Sequence, residues 1–151
     1  MRRPVQIECF VFRKNNGIYE FLLLKRIESR GGFWQAVTGG VEEREEITGT
    51  VYREVFEETG ITGNEIIRLI KNVYNFEFKS KGMEKIFGNI NIKEFVFAIE
   101  INKSTKIRID SKEHSGYKWV DYEQALKCLK FDTNKKALTR LYELIGSPER
   151  T

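Results

Sequence analysis

Apolar side chains take every second position from Val5 to Val11 (Val5, Ile7, Cys9, Val11), the period of a strand that lays one face on a core. Asn15-Asn16-Gly17 follows with turn-forming residues, and Phe21 to Leu24 is an unbroken apolar run of the kind that suits a strand covered on both faces. Together they predict a hairpin. Gly31-Gly32 and Gly39-Gly40 bracket Phe33 to Thr38, which reads as a strand between two flexible glycine backbones.

From Ile47 to Thr59 the period lengthens to that of a helix, with apolar residues at Ile47, Val51, Tyr52, Val55 and Phe56 and a stop at Gly60. Residues 66–78 and 90–101 are rich in β-branched and aromatic side chains and predict two long strands, separated by a turn region from Lys79 to Gly82. Asp121 and Gln124 have capping-box spacing ahead of Ala125, Leu126 and Leu129, and a last helix is expected from Asn134 to Ile145 with Gly146 beyond its end. Strands before and after a central helix predict a mixed α/β (α+β) sandwich, a sheet with helices on both sides, rather than a parallel βαβ fold. No repeat, linker or low-complexity segment divides the chain, so one domain over residues 1–151 is expected.

Composition narrows the class. The 40% of apolar residues suffices for a packed core, which excludes a chain kept disordered by low hydrophobicity. The net charge of +4 is compatible with anionic partners. The basic groupings, Lys135-Lys136 beside Lys130, are short and lack the aromatic interleaving of a single-strand-binding groove, which argues against a nucleic-acid partner. Cys9 and Cys128 have no second thiol or histidine at metal-ligand spacing and read as small core residues. No apolar run has the length of a signal peptide or membrane span, so no membrane partner and a cytoplasmic location are expected, with a monomer or homodimer as the assembly.

The chemistry concentrates between Gly39 and Ile61. Glu54, Glu57 and Glu58 stand at i, i+3 and i+4, so their carboxylates gather on one side of the helix at the border of its apolar face. Like charges so placed repel, and a bridging cation converts that repulsion into a binding site for Mg²⁺ or Mn²⁺, which favour hard oxygen donors. A solvated acidic helix face is the competing reading of the three glutamates alone.

The wider spacing decides between them. Gly39, five residues, Glu45, seven residues, then Arg53-Glu54-Val55-Phe56-Glu57-Glu58-Thr59-Gly60-Ile61 resembles the Nudix box at every specified position. The resemblance implies a Nudix-type α/β/α sandwich and a loop–helix–loop site. Physical reasons agree with it: Gly39 and Gly40 permit a tight turn ahead of the helix, Gly60 a left-handed stop, Arg53 a forked grip on a carboxylate, and Glu45 a favourable place by the helix start. Arg44 stands where a glycine often precedes the first glutamate. By this resemblance Glu57, Glu58 and Glu54 are metal ligands, the Gly39 carbonyl is a further candidate, and Glu54 is also a candidate base. The implied reaction is attack of metal-activated water on a phosphorus of a diphosphate linkage, with Mg²⁺ neutralising the departing oxygens.

The flanks extend the likeness. Phe33-Trp34-Gln35-Ala36-Val37-Thr38-Gly39-Gly40, with Glu113-His114 and Tyr117-Lys118-Trp119-Val120, resembles the subgroup of dihydroneopterin triphosphate and dATP pyrophosphohydrolases, which implies a phosphorylated small-molecule substrate cut to pyrophosphate and a monophosphate. Similar elements occur in asymmetrical diadenosine tetraphosphate hydrolases, and a nucleotide- or RNA-binding module that kept the fold without catalysis is the alternative from another class. Glu113 is the candidate carboxylate from outside the helix, as ligand or base. Trp34 and Gln35 are candidates to stack on and hydrogen-bond a purine or pterin, and Lys25 and Arg26 to meet phosphates. Asn134 is a candidate substrate contact, with helix N-capping as its competing role. His114 and Trp119 read as structural.

Overall fold

The computed structural model describes residues 2–79 and 91–146. Strands β1 (Arg2–Asn15) and β2 (Ile18–Arg26) form the expected hairpin, turning through Asn16 (φ 52°) and Gly17 (φ 81°), both in the left-handed region. Strands β3 (Trp34–Gln35) and β4 (Val37–Glu42) follow, then helix α1 (Ile47–Thr59), β5 (Ile66–Lys79), β6 (Asn91–Ile101) and β7 (His114–Val120). Helices α2 (Tyr122–Cys128) and α3 (Asp132–Gly146) follow. The sheet runs β3-β2-β1-β6-β5, with β4 added to β1 and β7 to β2. Among the described strands β1 and β6 pair in parallel and the other pairs run antiparallel, so the sheet is mixed.

Alternation along the central strands builds two cores. Ile7, Cys9, Val11, Leu22, Leu24 and Val37 pack with Val51 and Val55 of α1, whereas Phe10, Phe12, Phe21 and Leu23 pack with Ala125 of α2 and Leu138 and Leu141 of α3. Layers of α1, sheet, and α2 with α3 result. Strand β1 departs from expectation: both its faces are covered, because α2 and α3 roof the side on which the alternation placed water. Glu8 is therefore buried, and so is Glu94 on neighbouring β6. Gln6 donates to Glu94 (2.8 Å) and Asn134 to Glu8 (2.9 Å). Burial, then the nearby Glu94, raises the Glu8 carboxyl well above its usual range, and burial pushes Glu94 up to about 7.

Other boundaries moved. Helix α3 begins two residues before Asn134, which thus lies inside its first turn rather than at the N-cap, and Gly146 is the last helical residue. The region 80–90, which includes most of the expected Lys79–Gly82 turn, lies outside the described residues.

One feature of the pairing positions the site. Along a single edge of β1, β4 pairs with residues 2–9 and β2 with residues 12–15, so the two strands diverge from it as a fork. Beyond Phe21 the corresponding edge of β2 is taken by β3. Ala36 alone separates β3 from β4, and the chain crosses the fork there.

Candidate active site

Helix α1 is pinned by Val51 and Val55, buried against the sheet, and ends as expected at Gly60 (φ 77°), whose N–H donates to the Phe56 carbonyl. This docking sets the glutamates at graded depths: the side chains of Glu58, Glu54 and Glu57 are 3%, 13% and 52% exposed. Glu58 reaches the fork, where a cleft of about 40 Å³ is lined by Arg26, Gln35, Thr38, Glu58, Glu113 and His114. That volume holds a cation or a water or two, not a nucleotide.

Arg53 ties the surrounding segments together. Its Nε and Nη2 donate to the two Glu45 carboxylate oxygens (2.7 and 3.0 Å), Nη2 also to the Gly40 carbonyl (3.0 Å), and Nη1 to Glu54 (2.9 Å) and Glu57 (3.3 Å). The fork-shaped grip thus falls on Glu45 rather than on one of the helix glutamates, and it holds that carboxyl down at about 2. Glu45 lies just before the helix N-cap, and its carboxylate is taken up by Arg53. Gly39 also has a different task from the one its sequence suggests. It lies within β4, and a Cβ there would collide with the Glu54 carboxylate. Its lack of a side chain makes room for Glu54 and turns nothing. The reversal comes later, where Glu45 donates to the Glu42 carbonyl and Arg44 sits at φ 73°, a conformation natural for the glycine it replaces.

Glu58 has an unusual environment. Burial, followed by the Glu54 and Glu113 carboxyls, pushes it up to about 10, while the Thr38 amide opposes the shift. Burial also raises Glu54 against the pull of Arg53. Glu58 Oε1 has no hydrogen-bond partner, and His114 Nε2 stands 3.9 Å from it. Burial and then Arg26 depress His114 to about 4, so both groups are neutral near pH 7 and form no ion pair. Gln35 donates its amide N–H to the same His114 nitrogen (3.1 Å), orienting the ring. Glu113 is held at the mouth by Arg30 (3.4 Å).

The hard oxygens of Glu54, Glu57, Glu58 and Glu113, with one buried oxygen unpartnered, fit a divalent cation in chemical type. Among the described residues no group of three or more acidic, histidine or cysteine side chains is drawn together closely enough to hold a metal ion by itself. A cation at this cleft would draw much of its shell from water and phosphate.

The fold thus brings together Gly39, Arg53, Glu54, Glu57, Glu58, Glu113, Arg26 and Gln35. It separates three other candidates from them. Lys25 follows the phase of Leu23 and Trp34 packs on the core beneath α2 and α3, so both leave the cleft to their chain neighbours Arg26 and Gln35. Asn134 is engaged by Glu8 on that same far side. Sequence reasoning missed His114 as a cleft residue and Thr38 as an anchor of Glu58. The adjacency of His114 to Glu113 was the available signal for the first; an amide contact leaves none.

The family model described as "NUDIX domain" matches residues 2–142. The chain is 32% identical to an RNA pyrophosphohydrolase of Pelagibacter ubique over 75% of its own length and 73% of that protein's. It is 30% identical to an octanoyltransferase of Myxococcus xanthus, of whose length the match spans 31%. A Nudix hydrolase structure from Listeria monocytogenes superposes with TM-score 0.82 at 30% identity, covering 95% of each chain. The dihydroneopterin triphosphate pyrophosphohydrolase of E. coli does so with TM-score 0.77 at 28% identity, covering 92% of this chain and 94% of that one.

Proposed function

From the premise that this chain belongs to the Nudix family, we propose that it is a pyrophosphohydrolase that cuts a diphosphate linkage in a nucleoside-triphosphate-like substrate, with Mg²⁺ as cofactor and Mn²⁺ as substitute. Dihydroneopterin triphosphate is the substrate to which the likeness in fold points, and dNTPs follow from the resemblance of the flanking motifs. The observation that carries the reading is the buried, unpartnered oxygen of Glu58 in a cleft that also receives Glu113 and Arg26.

Glu58, Glu57, Glu54 and Glu113 would hold the cation, with the Gly39 carbonyl as a further candidate donor. When bound, the cation supplies charge neutralisation at the phosphates and makes water a better nucleophile at neutral pH. Arg53 fixes Glu54 relative to β4 and the loop, so that carboxylate meets the reacting centre without reorganising. Arg26 supplies a positive charge at the phosphate chain. Glu54 and Glu113 are the residues placed to accept a proton from the attacking water. Gln35 and buried His114 keep the wall of the cleft polar yet uncharged.

Incubation of the purified protein with dNTPs, dihydroneopterin triphosphate and Mg²⁺, followed by product identification, tests this. Release of pyrophosphate with a nucleoside or pterin monophosphate is expected, and absence of turnover across that panel overturns it.

A further inference from the structure

Of the two carboxylates that line the cleft, Glu58 comes from α1 and Glu113 from the turn ahead of β7. That turn is fixed. The Glu113 and His114 amides both donate to the Asp110 carbonyl (3.1 and 3.0 Å), and the Lys112 amide donates to the Asp110 carboxylate (3.0 Å). The Glu113 carbonyl accepts from the Ile27 amide (3.1 Å). Its side chain is nevertheless 40% exposed and meets the Arg30 guanidinium at 3.4 Å.

Arg30 is set by the same Ile27. It ends a 3-10 turn, Glu28–Arg30, in the loop between β2 and β3. The neck of this loop is closed by the Arg26 amide, which donates to the Phe33 carbonyl (3.0 Å), and the Arg26 guanidinium lies 5.3 Å from the Phe33 ring centre. The Ile27 carbonyl accepts from the Arg30 and Gly32 amides (2.9 and 3.2 Å). Ile27 thus grips Glu113 through its N–H and Arg30 through its C=O, which fixes the spacing of two backbones that lie 83 positions apart in sequence.

The contact between the two side chains is loose, and an ion pair so exposed adds little to stability. Its charges still reach the cleft. Glu113 follows burial and Glu54 in raising Glu58, and Arg30 follows burial and Arg26 in depressing His114. We propose that Arg30 positions Glu113 and competes with the cation for it, yielding it when a phosphate chain arrives: the guanidinium passes from carboxylate to phosphate, and Glu113 turns to the cation. Guanidinium pairs with carboxylate and with phosphate through the same fork, so one partner can replace the other. By linkage, phosphate that draws Arg30 away strengthens cation binding, and a cation that claims Glu113 frees Arg30 for phosphate. The inference rests on the proposed hydrolase function for turnover, though not for cation binding.

The test titrates the full chain with Mn²⁺ and follows free Mn²⁺ by electron paramagnetic resonance, first alone and then with methylenediphosphonate as an uncleavable phosphate mimic. Arg30→Gln is expected to bind Mn²⁺ roughly 2- to 5-fold more tightly than the wild type, the scale of one exposed ion pair. Arg30→Lys, which keeps the charge, should stay at the wild-type value. Methylenediphosphonate should tighten Mn²⁺ binding more in the wild type than in Arg30→Gln. In a Glu113→Gln background the Arg30 exchange should no longer change the affinity; an effect that persists there is a general effect of charge and overturns the proposal. Mn²⁺ binding that is unchanged or weaker in Arg30→Gln overturns it too, the weaker result making Arg30 a fixed support of Glu113. With Mg²⁺ and a cleaved substrate, Arg30→Gln should raise KM about tenfold, the scale of a hydrogen bond to a charged group, with a smaller change in kcat and an unaltered Tm. Turnover without the Mn²⁺ pattern leaves the hydrolase reading standing and removes the exchange. The Mn²⁺ pattern in a protein that cleaves neither dNTPs nor dihydroneopterin triphosphate supports the exchange and overturns the hydrolase reading instead.

Discussion

Burial beside two other carboxyls pushes Glu58 up to about 10 in the cation-free fold. Glutamine imitates a neutral carboxyl in shape and hydrogen bonding, so Glu58→Gln is expected to fold with an unchanged or slightly higher thermal transition. Its kcat should nevertheless fall by about two to three orders of magnitude, the scale on which losing one electrostatic stabiliser acts. A Mg²⁺-dependent rise in Tm should appear in the wild type and vanish in the variant, since a ligand that binds only the folded state stabilises it by mass action. Near-normal turnover would remove Glu58 from the mechanism. Gly39→Ala makes the complementary prediction. The new methyl displaces the flexible end of Glu54, not backbone, so folding should survive while activity drops at least about tenfold, the effect of a small misplacement at a reacting centre. Equal loss of activity and of the folding transition would make Gly39 a structural residue only.

At the scale of elements, local signals were legible and partnerships were not. The period of α1 and the glycine after it give the helix from Ile47 to Thr59 to the residue, because periodicity and a left-handed stop are properties of the segment itself. Burial of the second face of β1 depends on α2 and α3, which lie at the other end of the chain, so Gln6 and Glu8 looked like solvent positions. Nothing near Glu8 in sequence announces Glu94. The site followed the same rule: the box residues were legible as a local pattern, whereas Arg30 and Glu113 meet only through tertiary packing. Alternation along β2 and β3 does separate Lys25 from Arg26 and Trp34 from Gln35, and applying the strand period to these pairs would have assigned one member of each to the cleft.

The Glu8–Glu94 pair also predicts how β1 and β6 respond to pH. Glu94 is pushed up to about 7 in the folded chain from an ordinary value near 4.5. The folded state therefore binds this proton more tightly, and its contribution is fully present below about pH 4.5 and lost as pH rises through 7. The associated loss of stability is on the order of 3 kcal/mol. Glu94→Gln should flatten the decline in denaturant-measured stability between pH 5 and 8; a wild type with no decline over that range would contradict the shared burial of these carboxyls.

On the scale of the molecule, the sandwich supplies a rigid frame and the fork supplies the cleft. The predicted α/β/α layering is realised, and among the described residues no helix is long and apolar enough to cross a membrane. Ala36 is buried where the chain passes from one branch of the sheet to the other. Ala36→Leu overfills that point and is expected to cost about 1–3 kcal/mol of stability and to reduce kcat by spreading Gln35 and Thr38 apart. An unaltered kcat at the lowered Tm would disconnect the spacing of the branches from turnover.

Arg26 has its backbone amide bonded to Phe33, its guanidinium beside that ring, and its flank on the wall facing Glu58. A single residue therefore ties the wall of the cleft to the segment that leads into β3. An exchange at position 26 is therefore expected to disturb the cleft wall and the approach to β3 together, whereas an exchange at Lys130 leaves the acids untouched.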